Sequence, residues 1–305
     1  MIAAGARRHA RHARRVHNDA MMRARASNIT GMVSAFLLSL SGLAVQAQAD
    51  DGDYIRQTRA DDGAPEALEV AVAGFENAAG ARIDLVSAVH VADRAYFEAI
   101  DRRLADYEVV LYELVAEPGA SPASSGARPS MVGLLQGGMK NALGLAFQLD
   151  EIDYRRDNMV HADLTPDAFS ASMRDRGESV MGMMFRGWAL AMAEQGAGNA
   201  AGQEADFIKV LFADDRQLAL KRLLAAQLSE QADLLESLAG DDGSTLITVR
   251  NERALEVLAD QLSAGARDVA IFYGAGHMPD FEARLVEDFG MRKVSTEWLE
   301  AWDLR

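Results

Sequence analysis

Two stretches of the chain end in a histidine directly after an apolar run, and this repeated pattern constrains the fold most. The first stretch, RIDLVSAVH, runs from Arg82 to His90, and the second, DVAIFYGAGH, runs from Asp268 to His277. A short apolar run between polar or glycine-rich segments is typical of a buried strand. Because open α/β sheets bind ligands beyond the carboxyl ends of their strands, the pattern indicates a metal or acid–base site that uses these histidines.

The N-terminal 49 residues have the pattern of a secretory signal peptide. Residues 1–28 are rich in arginine, an apolar stretch runs from Ile29 to Leu43, and an Ala-Gln-Ala sequence ends at Ala49. This order predicts cleavage near Ala49 and a periplasmic or secreted protein. A membrane anchor is one alternative, but the stretch is shorter than the roughly 20 residues that a spanning helix needs. A mitochondrial presequence is the other, but its apolar stretch would be amphipathic and not continuous. We therefore expect no stable membrane span in the mature form.

The composition of the remaining chain excludes several partners and ligands. Residues 1–49 hold seven of the 31 basic residues and one of the 46 acidic residues, so their removal changes the net charge from −15 to −21. Such an acidic surface repels nucleic acid and anionic membranes. The chain contains no cysteine, which excludes disulfides and thiolate ligands. We expect residues 50–305 to form a single domain.

The order of the apolar patterns predicts an α/β (α+β) fold. We expect a strand at 67–73 that forms a hairpin with the next strand, and a β–α–β unit at 82–115. The helix of this unit has Asp93 as its N-cap and Phe97, Ile100 and Leu104 on its apolar face. A helix at 252–264, a strand at 268–273, a helix from near Pro279 and a final strand or short helix at 292–302 follow. The middle of the chain, about 131–240, has the pattern of a mainly helical insertion. The predicted architecture is a central mixed, largely parallel sheet flanked by helices.

Three helices are predicted inside the insertion. Thr165, followed by Pro166, is a good helix start. An amphipathic pattern predicts a long helix from Leu218 to Leu238. The methionine-rich run from Val180 to Met192 is interpreted as a buried core helix, with a soft binding surface or a membrane contact as the alternatives.

Three potential ligand side chains are predicted to meet at one edge of the sheet. His90 follows the first strand, Glu113 lies near the end of the apolar run VVLYELV, and His277 arrives at the same edge if its strand is parallel to the others. Two imidazoles and a carboxylate are a usual ligand set for a catalytic zinc ion, and they also suit Mn, Co or Fe(II). Each residue also has a structural interpretation. His161 does not follow a predicted strand and is interpreted as structural.

Several competing catalytic motifs are missing from the sequence. It contains no H-E-x-x-H zinc motif, no G-x-S-x-G elbow and no Walker A loop. Gly274 and Gly276 begin like a dinucleotide fingerprint, but Pro279 stands where the third glycine belongs, so a Rossmann domain is rejected.

The motifs resemble those of the TraB/GumN family, which belongs with the Tiki proteases, the erythromycin esterases and the ChaN-like proteins. The family is marked by two Gly-x-x-His motifs, a strand with a glutamate, and an Arg-Asn pair before the second histidine. In this chain the corresponding residues are His90, Glu113, the pair Arg250–Asn251, and His277. Ser87 stands where the family has the first glycine.

The resemblance implies a metal-dependent site formed by His90, Glu113 and His277, with Arg250 and Asn251 lining it. It predicts a secreted hydrolase that acts on a peptide or protein substrate with a divalent metal ion, Zn, Mn or Co. Glu113 serves either as a metal ligand or as the general base, and Arg250 stabilises an oxyanion. The alternative is a non-catalytic protein that binds haem, iron or a partner, as ChaN-like relatives do.

Overall fold

The computed structural model describes residues 54–117, 119, 143–179, 210, 212–226 and 244–305. The predicted signal peptide at 1–49 and the methionine-rich run at 180–192 lie outside the described residues. The predicted α/β class is confirmed, because a seven-stranded mixed sheet has helices on both faces. In the described part of the chain, no helix is both long and apolar enough to cross a membrane.

One half of the sheet is antiparallel. Strands β1 (Ile55–Arg59) and β3 (Arg82–Ala88) pair with successive parts of one side of the long strand β2 (Pro65–Glu76). The C-terminal strand β9 (Arg292–Asp303) pairs along the other side of β2. The chain end, for which the sequence left strand and short helix open, is therefore a strand.

The predicted hairpin between β2 and β3 forms around Asn77 and Gly80. The Asn77 side-chain oxygen accepts hydrogen bonds of 3.0 Å from the backbone N–H groups of Ala79 and Ala81. Gly80 has a φ of +81°, a conformation that is readily available only to glycine. This local chemistry sets the register that starts β3 at Arg82.

The other half of the sheet is parallel and carries the strand ends of interest. β8 (Asp268–Gly274) lies between β3 and β5 (Val109–Tyr112), and β5 also pairs with β7 (Met159–His161). The two strands of the predicted β–α–β unit, β3 and β5, are therefore not adjacent, because β8 lies between them. This arrangement brings the carboxyl ends of β3, β8 and β5 to one edge of the sheet.

Helices cover both faces of the sheet. On one face, α1 (Arg94–Leu104) buries Phe97, Ile100 and Leu104, the residues whose spacing predicted it. On the other face lie α4 (Arg250–Ala264) and α5 (Met278–Glu287), which bury Leu258 and Phe281 against the sheet. A π-helix, Thr245–Val249, leads directly into α4, so α4 begins at the Arg-Asn pair, before the predicted start at residue 252.

The predicted helix caps have two different outcomes. Thr165 accepts a hydrogen bond from the Ala168 N–H at the start of α3 (Pro166–Asp175), as expected for an N-cap. Asp93 stands at the N-cap of α1 but makes no cap hydrogen bond. Its carboxylate instead accepts hydrogen bonds from Lys221 Nζ and the Asp303 N–H. Asp93 thus links α1 to the C-terminal strand.

The described part of the predicted insertion contains strands as well as helices. A two-residue strand, β6 (Ala146–Phe147), pairs with β4 (Val91–Ala92), and α2 (Gln148–Glu151) follows it at once. Residues 216–226 are helical, so the predicted long helix begins two residues before its predicted start at Leu218, and the residues from 227 to its predicted end lie outside the described part. β7 joins the main sheet by pairing with β5. It was not predicted, because its three residues are too few to show a strand pattern.

Candidate functional site

The three predicted ligand residues follow three neighbouring parallel strands. His90 comes two residues after β3, and Glu113 comes directly after β5. β8 leads into a single 3-10 turn, Ala275–His277, that ends at His277. Since these strands are parallel, their carboxyl ends place the three residues at one edge of the sheet.

The three side chains surround a single point beside Gly274. A Cβ atom at position 274 would lie 3.4 Å from Glu113 Oε2, 3.8 Å from His277 Cδ2 and 4.0 Å from His90 Nε2. The structure therefore brings all three residues together. A glycine at 274 leaves this point open, and its N–H donates a 2.7 Å hydrogen bond to Glu113 Oε2.

Asn251 fixes the orientation and the tautomer of His277. The Asn251 Nδ2 group donates to the His277 carbonyl at 3.0 Å and to Asp280 Oδ2 at 2.8 Å. Its Oδ1 atom must therefore accept the 2.6 Å hydrogen bond from His277 Nδ1. In the neutral ring the proton is then on Nδ1, and the lone pair on Nε2 faces the site.

Gln148 orients His90 in the same way. Gln148 Nε2 donates to the Tyr154 hydroxyl at 2.8 Å, which directs its Oε1 atom towards His90 Nδ1 at 3.1 Å. The Gln148 N–H also donates to the His90 carbonyl at 3.0 Å. His90 is exposed whereas His277 is buried, so the site opens to solvent on the His90 side.

Glu113 is held as a carboxylate by several neighbours. Arg250 Nη2 donates a 2.7 Å hydrogen bond to Glu113 Oε1. Burial alone raises the pKa of Glu113, but the charges of His277, Arg250 and His90 and the Gly274 N–H outweigh burial and lower the pKa from 4.5 to about 2. Glu113 is therefore ionised at neutral pH.

The cluster carries a net negative charge at neutral pH. Burial lowers the pKa of His277 to about 4, against the attraction of Glu113, so the ring is neutral. The buried charges are then the carboxylates of Glu113 and Asp163 and the guanidinium of Arg250. One negative charge is left without a partner in this cluster, and a cation at the site would offset it.

The donor set fits a divalent metal ion in its chemistry. His277 Nε2 and Glu113 Oε1 are 3.6 Å apart, close to the ~3.3 Å that separates two ligand atoms of a tetrahedral metal with bonds of 2.0–2.1 Å. Among residues 54–117, 143–179, 212–226 and 244–305, however, no group of three His, Cys, Asp or Glu side chains is already arranged to hold a metal. In this structure Arg250 is the cation next to Glu113, and its Nη1 atom is 3.5 Å from His277 Nε2.

The two other predicted site residues also lie in the cluster. Arg250 contacts Glu113 directly, and Asn251 reaches the site through His277. Both are the first residues of α4, and both are buried. The Arg-Asn pair at the start of this helix thus places a charge beside Glu113 and a hydrogen-bond acceptor behind His277.

Sequence reasoning missed three residues of the site. Asp163 binds Arg250, while Gln148 and Tyr154 support His90. All three lie in the range that was interpreted only as a helical insertion, where no apolar run announced a sheet strand. The signal that could have found Asp163 is its position two residues after the short run that forms β7.

His161 lies at the end of a strand, contrary to the sequence interpretation that it has no such context. It is the last residue of β7, and its Nε2 atom is 2.6 Å from the Leu114 carbonyl oxygen. Its ring also contacts Tyr112 edge-on. These contacts agree with a structural role, because His161 Nε2 is hydrogen-bonded to a backbone carbonyl.

Comparison with known proteins finds no matching family model, no similar curated protein and no similar solved structure. The resemblance to the TraB/GumN family accordingly rests on the motif residues alone and stays a prediction.

Proposed function

We propose that the protein is a metal-dependent hydrolase with a peptidase-like activity, whose site is formed by His90, Glu113 and His277. The observation that carries this proposal is the pair of imidazoles whose Nδ1 atoms are held by amide oxygens. This arrangement directs two Nε2 lone pairs towards an ionised carboxylate. Histidines that bind metals typically donate their other ring N–H to an oxygen acceptor, and the net negative charge of the cluster favours a cation.

A bound divalent metal ion supplies a Lewis acid that polarises a carbonyl group and acidifies water. Glu113 acts as a ligand in this proposal, because a carboxylate with a pKa of about 2 is a weak base at neutral pH. His90 and His277 present Nε2 atoms, one at the solvent side of the site and one in its interior.

Arg250 is proposed to stabilise developing negative charge on the substrate. Its Nε and Nη2 groups are used by Asp163 and Glu113. Among the residues that the structure describes, its Nη1 group has only a 3.4 Å contact with the Leu246 carbonyl and the 3.5 Å contact with His277. Nη1 is therefore the donor that remains available to an oxyanion.

The proposed substrate class is a peptide or protein, as the TraB/GumN resemblance implies, in the periplasm or outside the cell. The acidic net charge of the chain supports substrates other than nucleic acids. The exposed side of the site, at His90, is the side at which a substrate carbonyl can approach.

Metal analysis of purified protein tests the proposal. We expect about one equivalent of Zn, Mn or Co to bind, and His277→Gln to abolish this binding while the protein remains folded by circular dichroism. His161→Gln is the matched control, because His161 bonds to a backbone carbonyl, and it should retain the metal. Wild-type protein without metal after dialysis against micromolar Zn²⁺ would overturn the proposal.

Gly274→Ala provides a second and more local test. The backbone at Gly274 has a φ of −54°, so alanine is not strained, and its Cβ would meet neighbours only at 3.4 Å or more. The methyl group would occupy the point that the three side chains surround. We expect weaker metal binding with little change in the unfolding midpoint.

A Soret band that depends on His90, together with no metal-dependent peptide hydrolysis, would instead support the haem-binding alternative.

A further inference from the structure

Asp163 is a buried carboxylate to which the sequence analysis assigned no role. Its side chain is fully buried, two residues after the end of β7. Its backbone is fixed on both sides, because the Ala162 carbonyl accepts a 2.5 Å hydrogen bond from the Tyr273 hydroxyl and the Leu164 N–H donates to Asp163 Oδ1 at 2.7 Å. A carboxylate held so rigidly in the interior can fix the position of its partner.

That partner is Arg250, which Asp163 binds through two hydrogen bonds. Asp163 Oδ1 accepts from Nε at 2.9 Å, and Asp163 Oδ2 accepts from Nη2 at 2.6 Å. This bidentate geometry is the strongest that an arginine and a carboxylate can adopt. It occupies one edge of the guanidinium, so Arg250 can offer Glu113 only the second hydrogen of Nη2.

We propose that Asp163 is a positioning residue that limits Arg250 to a single hydrogen bond with Glu113 and so leaves Glu113 free to bind a cation. The proposal rests on the function proposed above, in which Glu113 is a metal ligand. Without Asp163, the guanidinium is expected to turn and form two parallel hydrogen bonds with Glu113, since this is the preferred pairing with a carboxylate. Both oxygens of Glu113 would then accept hydrogen bonds from the guanidinium, and Oε2 would do so in addition to its bond from the Gly274 N–H.

The charges of the cluster support the same role. With both carboxylates present, the cluster of Glu113, Asp163 and Arg250 has a net charge of −1. Without the Asp163 charge, Arg250 neutralises Glu113 completely. A divalent cation then gains less from the site, because it meets a neutral ion pair in place of a net negative charge.

The test compares the affinity of the full chain for Zn²⁺ alone, by calorimetry, and its absorption spectrum with Co²⁺. Asp163→Asn should weaken Zn²⁺ binding about 10- to 100-fold, the usual effect of losing a residue that supports a metal ligand. The double variant Asp163→Asn/Arg250→Gln should regain most of the lost affinity, because it also removes the group that covers Glu113. The exposed Asp157 gives the matched control Asp157→Asn, which should bind as the wild type does.

Two results of these titrations with the Asn variants would overturn the proposal. One is Asp163→Asn with unchanged Zn²⁺ affinity and Co²⁺ spectrum but a lower unfolding midpoint, which would indicate a merely structural residue. The other is a double variant that binds no better than the single one. If Asp163→Asn does not fold, Asp163→Glu keeps the charge but displaces the carboxylate, and wild-type Zn²⁺ binding by it would equally contradict the positioning role.

A crystal structure of metal-free Asp163→Asn separates this inference from the proposed function. We expect Arg250 to donate two hydrogen bonds to Glu113 in that variant. A single bond, as in the wild type, refutes the positioning role even if the protein binds metal. Two bonds in a protein whose wild type binds no metal would support the positioning role and refute the metal-dependent function.

Discussion

The two ends of the parallel strands both hold a carboxylate, an arginine and a tyrosine, yet only one end has the features of a site. At the amino end, Asp84 accepts hydrogen bonds from the Tyr107 hydroxyl at 2.7 Å and from Arg82 Nε at 3.1 Å. At the carboxyl end, Glu113 accepts from Arg250 and from the Gly274 N–H, both at 2.7 Å. A buried carboxylate beside an arginine therefore does not by itself distinguish a functional edge.

The difference between the two ends lies in the unused acceptors. At the amino end a cavity of about 490 Å³ opens beside Asp84, but its ionic groups largely pair with one another, as Arg82 does with Asp84 and Arg103 does with Glu297. At the carboxyl end, within the described part of the chain, His277 Nε2 has only long contacts, 3.5 Å to Arg250 Nη1 and 3.6 Å to Glu113 Oε1, and His90 Nε2 has no hydrogen bond. Lone pairs that are oriented but not used are the mark of a binding site.

The largest expected contrast between the ends comes from removing each arginine. Arg250→Leu leaves the Asp163 carboxylate charged and fully buried, and breaking a buried ion pair in this way should destabilise the protein by about 3–5 kcal/mol. The Arg82 side chain is 46% exposed, so Arg82→Leu should lower stability by less than about 1 kcal/mol. Urea unfolding at neutral pH measures both changes. Equal losses would remove the energetic distinction between the two ends.

As the pH falls, the lowered pKa of His277 should reduce the stability of the folded protein before the lowered pKa of Glu113 does. The folded pKa of His277, about 4, is lower than its ordinary value of 6.5. Below pH 6.5 the unfolded chain therefore binds a proton that the folded chain does not, and stability falls as the pH falls from 6.5 to 4. Glu113, lowered from 4.5 to about 2, adds a second loss below pH 4.5.

Metal-free protein in EDTA, unfolded in urea at a series of pH values, tests this order. Between pH 6.5 and 4, the folding equilibrium constant should fall by up to about tenfold per pH unit because of this one proton. His277→Gln should remove this part of the pH dependence and also reduce the part below pH 4.5, because the charge of His277 is one cause of the lowered Glu113 pKa. A wild-type curve that is flat down to pH 5 would show that His277 is not held neutral.

Removing the two tyrosine hydroxyls should give effects of intermediate size. Tyr107→Phe deprives the buried Asp84 carboxylate of a hydrogen bond, which is worth about 1.5–3 kcal/mol for a charged acceptor. Tyr273→Phe removes a bond to the neutral Ala162 carbonyl, worth about 0.5–1.5 kcal/mol. Thermal unfolding ranks the two variants, and the reverse order would mean that water replaces the lost hydrogen bond to Asp84.

The parts of the fold and site that follow long apolar patterns could be predicted from the sequence. The runs before His90, Glu113 and His277 are long and apolar enough to identify buried strands, and strand direction then brings their ends together. The order of the strands was not predictable in the same way. The placement of β8 between β3 and β5 depends on contacts between segments more than 150 residues apart, which local patterns do not encode.

The supporting residues of the site could not be found for a related reason. Asp163 follows β7, a strand of three residues that is stable only because it pairs with β5. Gln148 acts through a side chain whose partners, His90 and Tyr154, are set by tertiary packing. Propensity carries little information over such short segments, so tertiary structure decides their roles.

The smallest expected effect concerns Ser87, which stands where the TraB/GumN family has glycine. Ser87 is fully buried, and its hydroxyl has no hydrogen-bond partner among the described residues. The Tyr96 hydroxyl donates to the Ser87 carbonyl, a bond that alanine preserves. Because a buried hydroxyl without a partner is unfavourable, Ser87→Ala should raise stability by up to about 1 kcal/mol.

Metal affinity should not change in Ser87→Ala, since the hydroxyl contributes no hydrogen bond to the cluster around Gly274. Calorimetric unfolding and Zn²⁺ titration of this variant, with Ser87→Gly beside it, check the two expectations separately. A loss of Zn²⁺ affinity in both variants would mean that the hydroxyl supports the carboxyl end of the sheet. The functional carboxyl end would then include a residue within β3, in addition to the residues that follow the strands.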